Sequence, residues 1–124
     1  MHEICHVEIP STDLAKSKEF YEKLFGWKVE LIPEMEYATW VAEAEPSGGF
    51  TLVKEPCTCE EGCCLVYILV ASVDDKAKEI EAAGGKVVKG KTAVTDIGWF
   101  AVFQDSAGGV AALWEGAKKE QAAS

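Results

Sequence analysis

Hydrophobic and polar residues alternate at the start of the chain, over residues 3–9. A period of two is typical of a β-strand with one buried face. The alternation gives each face its own set of side chains: Cys5, Val7 and Ile9 on one, and Ile4, His6 and Glu8 on the other. The pattern therefore predicts a strand on which His6 and Glu8 share a face.

The next segment has the signals of an amphipathic helix. Ser11, Thr12 and Asp13 offer oxygen atoms that can cap a helix N-terminus. Apolar residues then recur at helical spacing, at Leu14, Tyr21, Leu24 and Phe25. Gly26 stands where the helix should end, because glycine readily adopts the left-handed conformation that closes helices.

Three strand-like runs follow, over residues 27–32, 37–43 and 48–55. The turn-forming Pro33 separates the first run from the second, and the Pro-Ser-Gly-Gly stretch at 46–49 separates the second from the third. The first half of the chain is thus predicted to be a strand, a helix and three strands.

The second half repeats this order. Three blocks recur in sequence: residues 6–13 at 67–74, 48–55 at 108–115, and 24–29 at 82–87. Their offsets of 61, 60 and 58 residues are nearly equal, which indicates an internal duplication. The matching elements are a strand, a helix and three strands, near residues 65–71, 74–83, 86–90, 98–104 and 110–115.

The order βαβββ-βαβββ predicts an α+β fold of two similar modules in a single domain, residues 1–124. Its parts are module one at about 3–55, a connector at 56–64, module two at about 65–115 and a tail at 116–124.

The charge of the chain narrows the partners that it can have. Acidic residues outnumber basic ones by 21 to 12, and the formal net charge of −9 disfavours nucleic acid. Every basic residue other than histidine is a lysine, so no arginine fork is present to clamp a carboxylate or phosphate. No apolar run approaches the roughly 20 residues that cross a bilayer, and the N-terminus lacks the features of a secretion signal. We therefore expect a cytoplasmic protein whose ligand is neutral, or is an anion held by a metal.

Several motifs resemble one superfamily. Residues 20–27 are Phe-Tyr-Glu-Lys-Leu-Phe-Gly-Trp, and residues 113–115 are Leu-Trp-Glu. With the histidine of the first strand and the Asp-Leu pair at 13–14, they resemble small members of the glyoxalase/bleomycin-resistance/dioxygenase superfamily, also called vicinal oxygen chelate. The resemblance covers about residues 3–115. It implies that each module curls into a half-barrel and that two modules enclose a cleft.

The resemblance also implies a metal site. Metal-using members place one ligand on the first and one on the fourth strand of each module, and the matching positions are His6, Glu55, Tyr67 and Glu115. His6, Glu55 and Glu115 are thus predicted ligands of Fe, Mn, Ni or Zn, since imidazole and carboxylate suit these divalent ions. Tyr67 departs from the pattern. It is predicted to be catalytic together with Glu115, with Tyr67 donating a hydrogen bond to a bound oxygen and Glu115 acting as the base.

Three functions follow from the resemblance. The leading hypothesis is a metal-dependent lyase or isomerase whose ion polarises a carbonyl of a small oxygenated substrate. The alternative is a metal-free protein that binds a drug or metabolite, which Tyr67 favours because it replaces a ligand. A dioxygenase comes third, because it needs an additional histidine and only His2 remains. A homodimer is expected, since small two-module members commonly pair.

Two questions stay open at the level of sequence. Glu8 competes with Glu55 as the carboxylate of the first module, because it shares the predicted strand face of His6. The connector holds four cysteines: Cys57, Cys59, Cys63 and Cys64. Four thiolates suffice for a metal centre, but paired Cys-x-x-Cys knuckles are missing. Idle thiols, adventitious metal binding or an occasional disulfide therefore outweigh a dedicated centre.

Overall fold

The computed structural model describes His2 and residues 4–44, 46–56 and 65–117 of the 124-residue chain. These residues form two compact units. Unit 1 holds the described residues up to position 56 together with 106–109, and unit 2 holds 65–105 and 110–117. Each unit contains one helix and one four-stranded sheet, so the predicted α+β fold of two βαβββ modules is confirmed.

Unit 1 follows the predicted order of elements. They are β1 (His6–Ser11), α1 (Leu14–Phe25), β2 (Lys28–Ile32), a short 3₁₀ helix (Pro33–Met35), β3 (Tyr37–Val41) and β4 (Ser47–Leu52). The sheet order is β1-β4-β3-β2, in which β1 runs parallel to β4 and the other neighbours are antiparallel.

Unit 2 repeats this topology. Its elements are β5 (Tyr67–Leu69), α2 (Val73–Ala82), β6 (Lys86–Val94), β7 (Gly98–Gln104) and β8 (Val110–Gly116). The sheet order is β5-β8-β7-β6, again with a parallel first pair and antiparallel neighbours. In the part of the chain that the structure describes, no helix is long and apolar enough to span a membrane.

An aromatic cluster holds α1 against the first sheet. Tyr21 of α1 is fully buried, and its ring stacks on Trp27 with centroids 4.8 Å apart. Trp27 stacks in turn on Trp40 of β3 at 4.3 Å, while Phe50 of β4 lies 5.2 Å from Tyr21. Burial of such large apolar surfaces is the main force that stabilises a small domain.

Both ends of α1 are closed as the sequence predicts. The Asp13 side chain accepts hydrogen bonds from the backbone N–H groups of Ala15 and Lys16, at 3.1 and 3.2 Å. Gly26 closes the helix in the left-handed conformation, with φ of 71°. The Asp13 carboxylate thus satisfies N–H groups that a helix start would otherwise leave unpaired.

Some strand boundaries differ from the prediction, because pairing rather than local pattern decides where a strand ends. β1 runs on through Pro10 to Ser11, since it lies at the edge of its sheet, where a missing N–H group is tolerated. β4 ends at Leu52, the partner of Ser11, and not at Glu55. β6 continues to Val94, with register irregularities that extend the pairing.

Candidate functional site

The first sheet has one face that packs on α1 and one face that α1 leaves free. Ile9 and Phe50 lie opposite each other in the β1–β4 ladder, and both are buried on the α1 side. Successive strand residues point to opposite faces, so His6 and Glu8 lie on the other side. The surface around His6, Glu8 and Tyr37 is called the helix-free face of unit 1.

A chain of hydrogen bonds joins three side chains on this face. The Tyr37 hydroxyl lies 2.9 Å from His6 Nε2 and donates a hydrogen bond to Glu8 Oε2 across 3.0 Å. Desolvation raises the pKa of Tyr37 above its ordinary value, and the hydrogen bond and negative charge of Glu8 raise it further. Tyr37 is therefore a neutral phenol at physiological pH, held between an imidazole and a carboxylate.

Gly49 makes the position of Tyr37 possible. Tyr37 belongs to β3, and β4 separates β3 from β1, so the ring has to cross β4 to reach His6 and Glu8. Gly49 of β4 lies directly opposite Glu8 in the ladder. A β-carbon at Gly49 would collide with the hydroxyl and ring of Tyr37. The missing side chain is thus a requirement of the hydrogen-bond chain.

Unit 2 carries aromatic side chains on the corresponding surface, the helix-free face of unit 2, formed by Tyr67, Phe100 and Trp114. The ring centroids of Tyr67 and Phe100 are 6.3 Å apart, and Phe100 lies opposite Trp114 in the β7–β8 ladder. Tyr67 is 52% exposed, whereas the other two rings are half-buried. The Trp114 indole extends over Gly98, where a β-carbon would stand 2.7 Å from Cζ2. Lys89 Nζ lies 5.9 Å from the centroid of Phe100.

Glu115 lies on the opposite face of this sheet, towards α2. Its Oε1 accepts a hydrogen bond of 2.8 Å from the backbone N–H of Val73, the first residue of α2. A carboxylate in this position satisfies an unpaired N–H group and interacts favourably with the helix dipole. Tyr67 and Glu115, which the sequence pairs in one catalytic site, therefore point to opposite faces and do not meet within unit 2.

The helix N-termini show which residues of β1 and β5 correspond. Glu8 precedes Asp13, the N-cap of α1, by five residues. Tyr67 precedes Ser72, the N-cap of α2, by five residues as well. Tyr67 is thus the counterpart of Glu8 and not of His6, which corrects the match that residue similarity indicates.

The correspondence between the residues of β4 and β8 also differs from the one that sequence similarity indicates. Gly49 lies opposite Glu8, and Ala112 lies opposite Tyr67. Glu115 follows Ala112 by three residues, so its counterpart in unit 1 is Leu52 and not Glu55. Glu55 is exposed and lies beyond the end of β4.

The predicted metal ligands do not converge within either unit. In unit 1, Nε2 of His6 is engaged with Tyr37, and Glu55 lies past the end of its strand. In each unit taken by itself, the described residues contain no group of three or more histidine, cysteine, aspartate or glutamate side chains arranged to hold a metal ion. The donor set within each unit thus does not fit the divalent ion that the resemblance implies, and the ligand roles of His6, Glu55 and Glu115 stay predictions.

The sequence did not single out Tyr37 and Gly49 as functional residues. The signal for them was a tyrosine at the start of one strand and a glycine pair at the start of the next, but only the strand register shows that they meet. The cysteines of the connector, from Cys57 to Cys64, lie outside the described residues.

Sequence comparison finds relatives for most of the chain. Residues 3–41 match the family described as bleomycin resistance protein-like N-terminal. The chain is similar to the anthracycline biosynthesis protein DnrV of Streptomyces peucetius, with 28% identity over 122 residues. That match covers 86% of this chain and 44% of DnrV, so the chain spans about half the length of the curated relatives it matches.

Solved structures share the fold. The fosfomycin resistance protein FosX of Listeria monocytogenes gives a TM-score of 0.74 at 16% identity, with 98% of each chain covered. A glyoxalase/bleomycin resistance protein/dioxygenase family enzyme of Burkholderia phytofirmans PsJN gives 0.68 at 18% identity, with 89% and 95% covered. The chain thus shares the fold of these proteins, and together with the match of residues 3–41 this supports the resemblance to the glyoxalase/bleomycin resistance/dioxygenase (vicinal oxygen chelate) superfamily that the sequence motifs indicate.

Proposed function

We propose that this protein binds a planar, hydroxylated aromatic small molecule and that it does so without a metal ion. The observation that carries the proposal is the aromatic surface of Tyr67, Phe100 and Trp114 on the helix-free face of unit 2. The resemblance to the superfamily supports a small-molecule ligand. The side chains, rather than the fold, have to decide which ligand is bound, because one fold hosts many activities.

The aromatic surface suits a flat apolar ligand. Tyr67 and the neighbouring Leu69 are 52% and 48% exposed, so a ligand that covers them removes apolar area from water. Aromatic rings in contact contribute about 0.5–1.5 kcal/mol beyond this burial. Lys89, near the Phe100 ring, adds a cation that favours electron-rich rings.

The curated relative supports the same class of ligand. DnrV is named for anthracycline biosynthesis. Anthracyclines are built on a planar anthraquinone ring system that carries hydroxyl groups. A ring system of this kind can pack against aromatic side chains such as those of Tyr67, Phe100 and Trp114.

The side chains favour binding over metal-dependent catalysis. Glu115 is held at the N-terminus of α2, and Ala112 stands opposite Tyr67 where a carboxylate ligand would be needed. The lyase or isomerase that the sequence favours requires an ion to polarise a carbonyl. The described residues of each unit contain no set of side chains that converges on a metal ion. The metal-dependent lyase or isomerase is therefore less well supported than metal-free binding. A dioxygenase is less well supported for the same reason.

We also propose a homodimer. Outside the aromatic surface, further large apolar side chains are exposed on the described residues of a single chain: Ile4, Leu31, Met35, Val41, Leu52, Val88 and Ile97. A dimer interface that covered part of these side chains would remove their apolar area from water, which favours association. Light scattering should return about twice the formula mass of 13.4 kDa. A monomer at working concentration would refute the dimer.

The ligand proposal is tested by calorimetric titration with alizarin, a planar dihydroxyanthraquinone, after treatment of the protein with a chelator. Binding is expected, and Tyr67→Ala should weaken it about tenfold, which corresponds to about 1.4 kcal/mol. The matched control is Ile97→Ala, because Ile97 is also 52% exposed but lies outside the aromatic surface. No binding to the wild type, or an equal loss in both variants, would contradict the proposal.

A further inference from the structure

Lys89 brings a positive charge to the aromatic surface of unit 2. It pairs with Val102 in the β6–β7 ladder, and Val102 lies two residues from Phe100 on the same face of the sheet. The Nζ atom of Lys89 is 5.9 Å from the centroid of the Phe100 ring. A ligand that covers Phe100 therefore lies beside the ammonium group of Lys89.

An irregularity in β6 gives Lys89 this position. Lys89 and Thr92 pair with Val102 and Phe100, so three steps along β6 match two steps along β7. In a regular strand, residues two positions apart share a face. The extra residue breaks this alternation, and Lys89 and Lys91 point to opposite faces of the sheet.

The two lysines also differ in their partners. Nζ of Lys91 stands 4.9 Å from the centroid of Trp99 and forms an ion pair of 3.1 Å with Asp74 of α2. Lys89 is exposed, and no carboxylate among the described residues of unit 2 forms an ion pair with it. The charge of Lys91 is thus compensated within unit 2, whereas the charge of Lys89 is not.

A bound ring system changes the surroundings of this charge. Covering Phe100 and Tyr67 takes water away from the neighbouring ammonium group, and a charge that loses water without gaining a partner costs free energy. An oxyanion on the ring system supplies that partner through a charge-assisted hydrogen bond. The chain as a whole has a formal net charge of −9, so the attraction for an anion has to come from a local cation.

We infer that Lys89 pairs with an ionised hydroxyl group of the ligand, a phenolate or an enolate, so that unit 2 binds a planar hydroxylated ring system as its anion. This inference rests on the proposed function and adds the chemical form of the ligand that the protein selects. In this arrangement a lysine side chain, rather than a metal ion, holds the anion.

The visible spectrum of alizarin provides the test, because the neutral dye and its phenolate differ in colour. The dye is titrated with pH in the presence and in the absence of excess protein. The buffer contains a chelator, since metal complexes of alizarin are also coloured. An opposite charge close to an acid favours its ionised form. The phenolate should therefore bind about threefold more tightly than the neutral dye, or better, and the apparent pKa of the bound dye should lie below that of the free dye.

Three variants assign the effect to Lys89. Lys89→Met removes the charge and keeps the length of the side chain, so the pKa of bound alizarin should no longer lie below that of the free dye. Lys89→Arg should restore the lower pKa. Lys86→Met is the matched control, because it makes the same change in net charge. Lys86 is also exposed and pairs with Gln104, about 13 Å along β7 from Phe100, and should leave the lower pKa in place.

Anthraquinone-2-sulfonate provides a second reading, because it is an anion throughout the titration. Lys89→Met should weaken its binding about fivefold, and Lys86→Met less than about twofold. Equal losses in the two variants, or a bound alizarin whose pKa is not lowered by the wild type, would overturn the inference and leave the proposed function standing. Failure of alizarin to bind the wild type at any pH would overturn the proposed function, and the inference with it.

Discussion

The hydroxyl of Tyr37 occupies the space in which a side chain at Gly49 would begin. Gly49→Ala should therefore displace Tyr37 and break its contacts with His6 and Glu8. We expect a loss of about 1–3 kcal/mol in the free energy of unfolding, the usual range for an added methyl group that finds no room. Urea denaturation measures this loss.

Gly90 provides the matched control, because it lies in β6 and a β-carbon added there would have nothing within 4 Å. Gly90→Ala should change the free energy of unfolding by no more than about 0.5 kcal/mol. Equal effects of the two substitutions would show that the space at Gly49 does not matter.

Glu115 of β8 is expected to stabilise the N-terminus of α2. Glu115→Gln removes the charge that faces the helix N-terminus and weakens the hydrogen bond from Val73. The free energy of unfolding should fall by about 1 kcal/mol, while alizarin affinity stays the same. Glu30→Gln, at an exposed residue of β2, is the control. A variant of Glu115 with full stability and no binding would instead support the site role that the sequence predicts.

The sequence predicted the elements well, because their signals are local. Alternation marks β1, and Asp13 with Gly26 marks the two ends of α1. The correspondence between the modules was predicted less well, since residue similarity matched His6 with Tyr67. The N-caps of the two helices match Glu8 with Tyr67 instead.

The site itself depends on contacts that a linear pattern does not contain. Tyr37 meets His6 and Glu8 only because β4 lies between β3 and β1 and has a glycine at the crossing. Likewise, the engagement of Glu115 with α2 depends on how that helix packs on its sheet. Neither the contact of Tyr37 with His6 and Glu8 nor the contact of Glu115 with α2 can be predicted from the spacing of residues in the sequence.

Glu22 should make the free energy of unfolding depend on pH in the acidic range. The hydrogen bond from Lys18 lowers the pKa of Glu22, and the backbone N–H of Val29 lowers it further. A carboxyl group whose folded pKa is depressed stabilises the protein above its unfolded pKa of about 4.3, and this contribution is lost as the pH falls through the folded pKa. Glu22→Gln should therefore lose less stability on acidification than the wild type. Glu19→Gln, at an exposed neighbour on α1, is the matched control in the same acid titration, and an equal change in the two variants would contradict the role of Glu22.

Tyr37 should ionise late in an alkaline titration. Desolvation raises its pKa first, and the hydrogen bond and charge of Glu8 raise it further. The stability that this gives is present below the unfolded pKa of about 10 and is lost as the pH rises through the folded pKa. Glu8→Gln should lower the pKa of Tyr37, which the tyrosinate absorbance reports after subtraction of the Tyr37→Phe signal. An unchanged titration would contradict the contact between Tyr37 and Glu8.

Metal-independent binding is tested most directly by one paired measurement, alizarin affinity together with metal content, before and after removal of metal with a chelator. Purification without chelating resin avoids adding or stripping ions beforehand. The affinity should stay within about twofold, a difference of less than about 0.5 kcal/mol, and the metal content should be far below one ion per chain in both samples. Loss of binding on chelation, with recovery on addition of one equivalent of Fe, Mn, Ni or Zn, would contradict this and support the metal-dependent enzyme instead.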